Sequence, residues 1–118
     1  MHQYQQEFNE NFELGFALSE YPFLVDKSWH NDTSPSFYFK TEDTFLVLWV
    51  DYPSLEDRDS DNPRYVIMKP ENTSDSRDPE LYCGSGEVVF ESESIIKLDH
   101  FLKVLFRRTR LNWIDTFS

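Results

Sequence analysis

Asp57-Arg58-Asp59-Ser60-Asp61 carries a carboxylate at every second position, the opening spacing of a calcium loop. Alternate carboxylates suit a hard cation because a tight turn can converge their oxygens on one point. Such a loop also needs glycine at its sixth position and glutamate at its twelfth. Counted from Asp57, these positions hold Asn62 and Met68, so the match fails and no metal is expected. His2, His30 and His100 are scattered, and the single cysteine, Cys83, cannot build a thiolate zinc site or an intramolecular disulfide. No histidine or basic residue lies near Cys83 in sequence to lower its pKa, which points to an inert thiol. Gly84-Ser85-Gly86 lacks the lysine and following helix of a phosphate-binding loop. His100 beside Asp99 reads as a surface pair rather than an acid/base dyad. No nucleophile–base pattern stands out, so neither catalysis nor a cofactor is expected.

Charge is the stronger signal. The chain has 22 acidic against 11 basic residues, a net charge of −11. Residues 95–118 hold five basic and two acidic residues, a balance of +3, which leaves residues 1–94 at −14. Nucleic acid would be repelled on average by such a chain. A basic protein would be attracted. The stretch from Asp51 to Asp61 concentrates the effect, with Asp51, Glu56, Asp57, Asp59 and Asp61 against Arg58 alone. A solvated loop kept soluble by charge is the plain reading. A docking surface for a cationic partner is the sharper one, since complementary fields raise association rate and enforce specificity. The second acidic loop, with Glu71, Asp75, Asp78 and Glu80, fits a docking role equally well. Trp29-His30-Asn31-Asp32 mixes aromatic and polar groups. It reads either as a packed tryptophan with a capping Asn or Asp, or as a functional loop.

The elements that must position these residues centre on Thr44–Tyr52, whose run Phe45-Leu46-Val47-Leu48-Trp49-Val50 predicts a central strand covered on both faces. Tyr4, Phe8, Phe12 and Phe16 recur every fourth residue, predicting a helix from residue 3 through about 14 or beyond. Phe12, Leu14, Phe16 and Leu18 also alternate and Gly15 weakens a helix, so strand over 12–18 stays open. Phe23 to Pro35 reads as irregular. Ser36–Lys40 reads as a strand, and Thr41-Glu42-Asp43 as a turn into the central one. Arg64–Met68 is a third strand, expected to stop at Pro70. Leu81–Cys83 and Glu87–Phe90 form two short strands or one interrupted strand. Ser92 or Ser94 caps a last helix with Leu98, Phe101, Leu102 and Leu105 on one stripe. Arg107, Arg108 and Arg110 suit the negative end of its dipole. The expected fold is α+β: one domain over 1–118, a mostly antiparallel sheet of three to five strands, and an N-terminal and a C-terminal helix packed on it.

The aromatic content of 17% argues against a disordered chain. No signal peptide is visible and no apolar run approaches a membrane span, so a soluble cytoplasmic protein is expected. The sequons Asn31-Asp32-Thr33 and Asn72-Thr73-Ser74 are then accidental.

Ser28-Trp29-His30-Asn31-Asp32, Pro35-Ser36-Phe37, Val47-Leu48-Trp49-Val50-Asp51-Tyr52 and Phe101-Leu102 together resemble immunity proteins of contact-dependent growth inhibition systems. The resemblance spans about residues 20–105. It implies a protein that binds the C-terminal toxin domain of its cognate system and blocks it. Many such toxins are nucleases, basic in order to hold nucleic acid, and an acidic partner can present carboxylates where phosphates would sit. Asp51, Glu56, Asp57, Asp59 and Asp61 would then supply charge, and Tyr52 and Trp29 the aromatic anchors. No direct nucleic-acid or membrane contact is implied. Two other readings share the composition: a phage-encoded acidic DNA mimic that inhibits a host defence nuclease, and a small metal- or ligand-binding domain.

Overall fold

Phe37, Leu48 and Ile67 face one another across three neighbouring strands, none with any exposed surface, and Phe90 continues the row on a fourth. The computed structural model describes residues 2–30, 32–41, 45–58, 61–72 and 81–105. Its sheet runs β1 (Val25–Asp26), β2 (Ser36–Lys40), β3 (Phe45–Val50), β4 (Tyr65–Asn72) and β5 (Leu81–Ser92). The strands lie in that order, and every neighbouring pair is antiparallel. Helix α1 (Gln3–Glu7) precedes the sheet and helix α2, residues 95–105, follows it. This is the expected α+β arrangement.

Side chains alternate across a strand, so the run Phe45–Val50 divides between two faces. Leu46, Leu48 and Val50 join Phe37, Phe39, Tyr65 and Ile67 in the core. Tyr4, Phe12, Leu14 and Tyr21 from the N-terminal segment, and Leu98 and Leu102 from α2, close over them. The other face departs from the expectation of a strand covered on both sides. Val47 is fully buried between Tyr38 and Met68 in register, but Phe45 and Trp49 are only half-buried. Lys27 Nζ lies 5.5 Å from the centre of the Trp49 ring and Lys40 Nζ 5.7 Å from that of Phe45. Cations over aromatic faces cover this side in place of a second layer.

Helix α1 is shorter than the four-residue periodicity predicts. The Tyr4 amide donates to Asp26 Oδ2 at 2.7 Å, docking α1 beside β1. The Asn11 amide then donates to the Asn9 side chain at 2.8 Å, an Asn turn that competes with continued helix. Phe12 and Leu14 reach the core from irregular chain, so residues 12–17 form neither helix nor strand and lead into a 3₁₀ turn, Leu18–Glu20. Gly15 sits at φ +86°, and a Cβ there would collide with the hydroxyl of Tyr65, which donates to Leu14 O at 2.8 Å. Only glycine fits both conditions.

Two strands differ from expectation, and β5 takes one of the two forms expected of it. Val25–Asp26 pairs with Tyr38 and Phe37 inside a stretch read as irregular. β4 continues through Pro70, where a register shift between Lys69 and Glu71 leaves the proline without a ladder partner to satisfy. β5 is one strand, its second irregularity opposing Ile67 and Met68 to Phe90 and Val88 with Val89 as the extra residue. Elsewhere expectation holds. Lys40 pairs with Phe45, so β2 and β3 form the expected hairpin; Glu42 and Asp43 of its turn lie outside the described residues. Ser94 Oγ accepts from the Lys97 amide at 3.4 Å and Ser92 Oγ from the Ser94 amide at 3.0 Å, so both serines serve the start of α2. Arg107, Arg108 and Arg110 lie outside the described residues.

The Tyr21 hydroxyl donates to Asp99 Oδ1 at 2.5 Å, latching α2 to the N-terminal segment, and Lys103 Nζ, one turn on in the same helix, reaches Asp99 Oδ2 at 2.8 Å. Burial, then the bond to Asp99, raises the Tyr21 phenol pKa. Lys103, then Tyr21, holds the Asp99 carboxyl below its usual value.

Leu48→Ala is expected to cost about 2–5 kcal/mol in chemical denaturation, and Trp49→Ala clearly less, because only Leu48 is sealed inside the core. Equal losses would contradict the assignment of faces. Gly15→Ala is expected to cost about 1–3 kcal/mol, from positive φ and the clash with Tyr65.

Candidate functional site

In an antiparallel meander, the connection after β1 and the connection after β3 leave the sheet at the same end. Ser36 pairs with Trp49 and Val50 with Tyr65 there, and the Val50 amide donates to Pro35 O at 3.0 Å. Residues 27–35 and 51–64 are therefore neighbours, although sequence alone leaves them separate. Together they hold every site residue expected from the sequence.

Asp51 ends β3 half-buried; its amide donates to Arg64 O at 2.7 Å and its Oδ1 accepts from the Tyr52 amide at 2.8 Å. Tyr52 is half-buried, with its ring 4.8 Å from that of Phe12, so part of its surface already belongs to the core. Glu56 and Asp57 are exposed on a 3₁₀ turn, Leu55–Asp57, and Asp61 is exposed beyond it. Asp59 lies outside the described residues. Trp29 is 48% exposed and rests on His30 at 4.2 Å, while His30 Nδ1 lies 3.0 Å from Glu7 Oε2. It is neither a core tryptophan nor free of the fold.

Between the two loops lies a cavity of about 270 Å³, with Trp49, Val66 and Met68 along the sheet and Thr33, Asp51 and Arg64 among its walls. Trp49 Nε1 and Arg64 Nε are buried without an acceptor among the described residues. Glu71, read as part of a second acidic loop, lies instead in β4 opposite Tyr82, at the far end of the sheet. Asp75, Asp78 and Glu80 lie outside the described residues.

The residue that sequence reasoning undervalued is Arg58. Read as the lone countercharge of an acidic run, it is in fact buried, with no exposed side-chain surface. Nε donates to Tyr52 O at 2.8 Å, Nη2 to Pro53 O at 3.3 Å and Nη1 to Asn62 O at 3.3 Å. The same fork binds both carboxylate oxygens of Glu93, Nη2 at 3.1 Å from Oε2 and Nη1 in a short contact with Oε1. Glu93 Oε1 also accepts from the Arg64 amide at 3.0 Å. A planar guanidinium can satisfy several acceptors at once, which an ammonium could not do in this geometry. The bond to Glu93 raises the Arg58 pKa, and the Arg58 guanidinium holds the Glu93 carboxyl below its usual value. The only sequence signal was an arginine set among carboxylates, and its partner lies 35 residues away.

The outcome is a loop whose backbone is clamped from inside while Glu56, Asp57 and Asp61 point their charge to water. Chemically this end of the sheet offers fixed hydrogen-bond acceptors and negative charge, bordered by the exposed apolar side chains of Leu55 and Trp29. Among the described residues, no group of three or more His, Cys, Asp or Glu is placed to hold a metal ion. Nor is any helix among them long and apolar enough to cross a membrane. Comparison with protein-family models, curated proteins and solved structures finds no match for this chain.

Arg58→Ala is expected to destabilise the protein by about 2–4 kcal/mol: breaking a buried pair costs roughly 3–5, and Glu93 retains access to water. The Glu93 contribution depends on pH with a definite sign. A depressed folded pKa makes its stabilisation complete above the ordinary value of 4.5, and it is lost as pH falls through the lower folded value. Glu93→Gln should therefore be less stable than the parent at pH 7, with the gap narrowing in acid. Urea unfolding across a pH series reads both, and a gap independent of pH would refute the pairing.

Proposed function

We propose that this chain is an immunity protein, which binds a cognate bacterial toxin domain and neutralises it by covering a basic, nuclease-type active site. The observation that carries this reading is the clamped acidic loop. Charge alone would keep a loop solvated. Holding that loop in one conformation with a buried arginine has a different consequence, because a preordered surface loses less entropy when it binds. Glu56, Asp57 and Asp61 provide the field, and Trp29 and Leu55 provide apolar contact at its border. Asp51, half-buried at the cavity between the loops, adds charge nearer the sheet, and Tyr52 acts mainly by packing the loop base on Phe12. A toxin surface shaped for phosphates would meet carboxylates held at fixed positions instead. The protein acts in the cytoplasm, on a protein partner and without a cofactor.

Growth rescue tests this. The gene immediately upstream, or the part encoding its C-terminal domain, is induced in a sensitive bacterium with and without this chain. Restored growth and a complex that survives purification are expected. Glu56→Lys, Asp57→Lys and Asp61→Lys combined should abolish rescue and weaken the salt dependence of binding, while each surface change costs no more than about 0.5 kcal/mol in stability. Toxicity that the parent chain does not relieve would overturn the proposal, and rescue by the triple variant would remove the acidic loop from it.

A further inference from the structure

β5 ends the strand order, and among the described residues no element pairs with its outer edge. Beside that edge, Phe90 and Phe101 stack at 4.5 Å, and with Ile96 and Val104 they line an open groove of about 560 Å³ bordered by Lys97 and His100. Ile96 and Val104, both in the groove, are 79% and 43% exposed, while Val88, opposite Met68, is exposed on the other face of the sheet. Single exposed apolar side chains are ordinary, whereas a cluster beside an unpaired strand edge offers both backbone hydrogen bonds and an apolar seat.

Charge decides the occupant. A second copy joined antiparallel through β5 would place two sets of Glu87 and Glu91 on one short ladder, between chains that each carry −11. Like charges brought together in this way destabilise pairing. A basic strand meets the opposite situation. Glu87 and Glu91 are both exposed, and the edge leads through Glu93, whose charge is paired with Arg58, to the acidic loop.

We propose that the outer edge of β5 from Glu87 to Glu91 accepts an extended basic segment of a partner protein as a sixth strand. One apolar side chain of that segment occupies the groove of Phe90, Ile96, Phe101 and Val104. Main-chain hydrogen bonds supply affinity, and alternate side chains supply selectivity. The partner's identity rests on the immunity reading, which this inference extends from the acidic loop to the neighbouring strand.

The test uses the purified chain and two short synthetic peptides, one alternating lysine and valine around a central phenylalanine, the other with glutamate for lysine. Amide hydrogen exchange is followed with and without each. The lysine peptide should slow exchange across residues 87–91 by about tenfold, and the glutamate peptide should not. Ile96→Asp, at an exposed position, should leave the melting temperature unchanged and weaken peptide binding by about tenfold. Unchanged exchange at 87–91, an equal effect of the glutamate peptide, or full binding by Ile96→Asp would each overturn the proposal. A dimer of the free chain that Ile96→Asp dissociates would assign the edge to a second copy and overturn it likewise. Growth rescue without peptide binding defeats the edge proposal alone, and peptide binding without rescue defeats the immunity reading alone.

Discussion

Arg58 lies where the two ends of the loop after β3 meet the turn from β5 into α2, and its guanidinium donates hydrogen bonds to all three. Without it, the part-buried carbonyls of Tyr52, Pro53 and Asn62 would lose their donor, and Glu93 would lose the cation that holds its pKa below the usual value. Burying a charge is costly unless its partners are complete, and here they nearly are. Such an arrangement specifies one loop conformation more strongly than it adds net stability. That distinction matters for function. The exposed carboxylates on the same loop can be arranged for a partner only because something else fixes the backbone beneath them.

The sheet divides the remaining labour between its faces. On the closed side, aromatic rings from the irregular N-terminal segment fill the space a longer helix would otherwise cover. Phe12 touches Tyr4 and Tyr52, and Phe16 touches Tyr21 and Tyr65. Edge-to-face contacts of this kind tolerate irregular backbone, because ring geometry rather than helical register sets the fit. On the other side, Lys27 and Lys40 lie over Trp49 and Phe45, so a face without a second layer still shields part of its aromatic surface.

The proposed role joins these features without asking chemistry of any one residue. A clamped acidic loop, an exposed tryptophan in the connection after β1 and the outer edge of β5, unpaired among the described residues, are the features that suit a basic protein. Negative charge brings the encounter about, and the apolar elements give it a fixed geometry. The cavity lined by Trp49 and Arg64 lies between the two loops, on the face of the sheet opposite Phe90.

Much of the architecture was legible in the residues themselves. Ser36–Lys40 and Phe45–Val50 were readable as strands because local alternation and β-branched content act within the segment. The stripe of Leu98, Phe101, Leu102 and Leu105 was readable as a helix for the same reason, as was the net acidity of Asp51–Asp61. What failed were inferences that depended on distant partners. The four-residue aromatic spacing of the N-terminus suggested a long helix, but Asp26, Asn9 and the Tyr65 hydroxyl redirect the chain after Glu7. Pro70 suggested a strand end, but a register shift against β5 accommodates it. Trp49 sat in an apolar run without being sealed in the core. Arg58 showed itself only as a charge until Glu93 was placed against it. Sequence by itself determined composition, charge and the period of each element, since these are set by neighbours along the chain. Tertiary structure alone decided which loops meet, which carboxylates stay in water and which strand ends the sheet, because those depend on contacts between residues far apart in sequence.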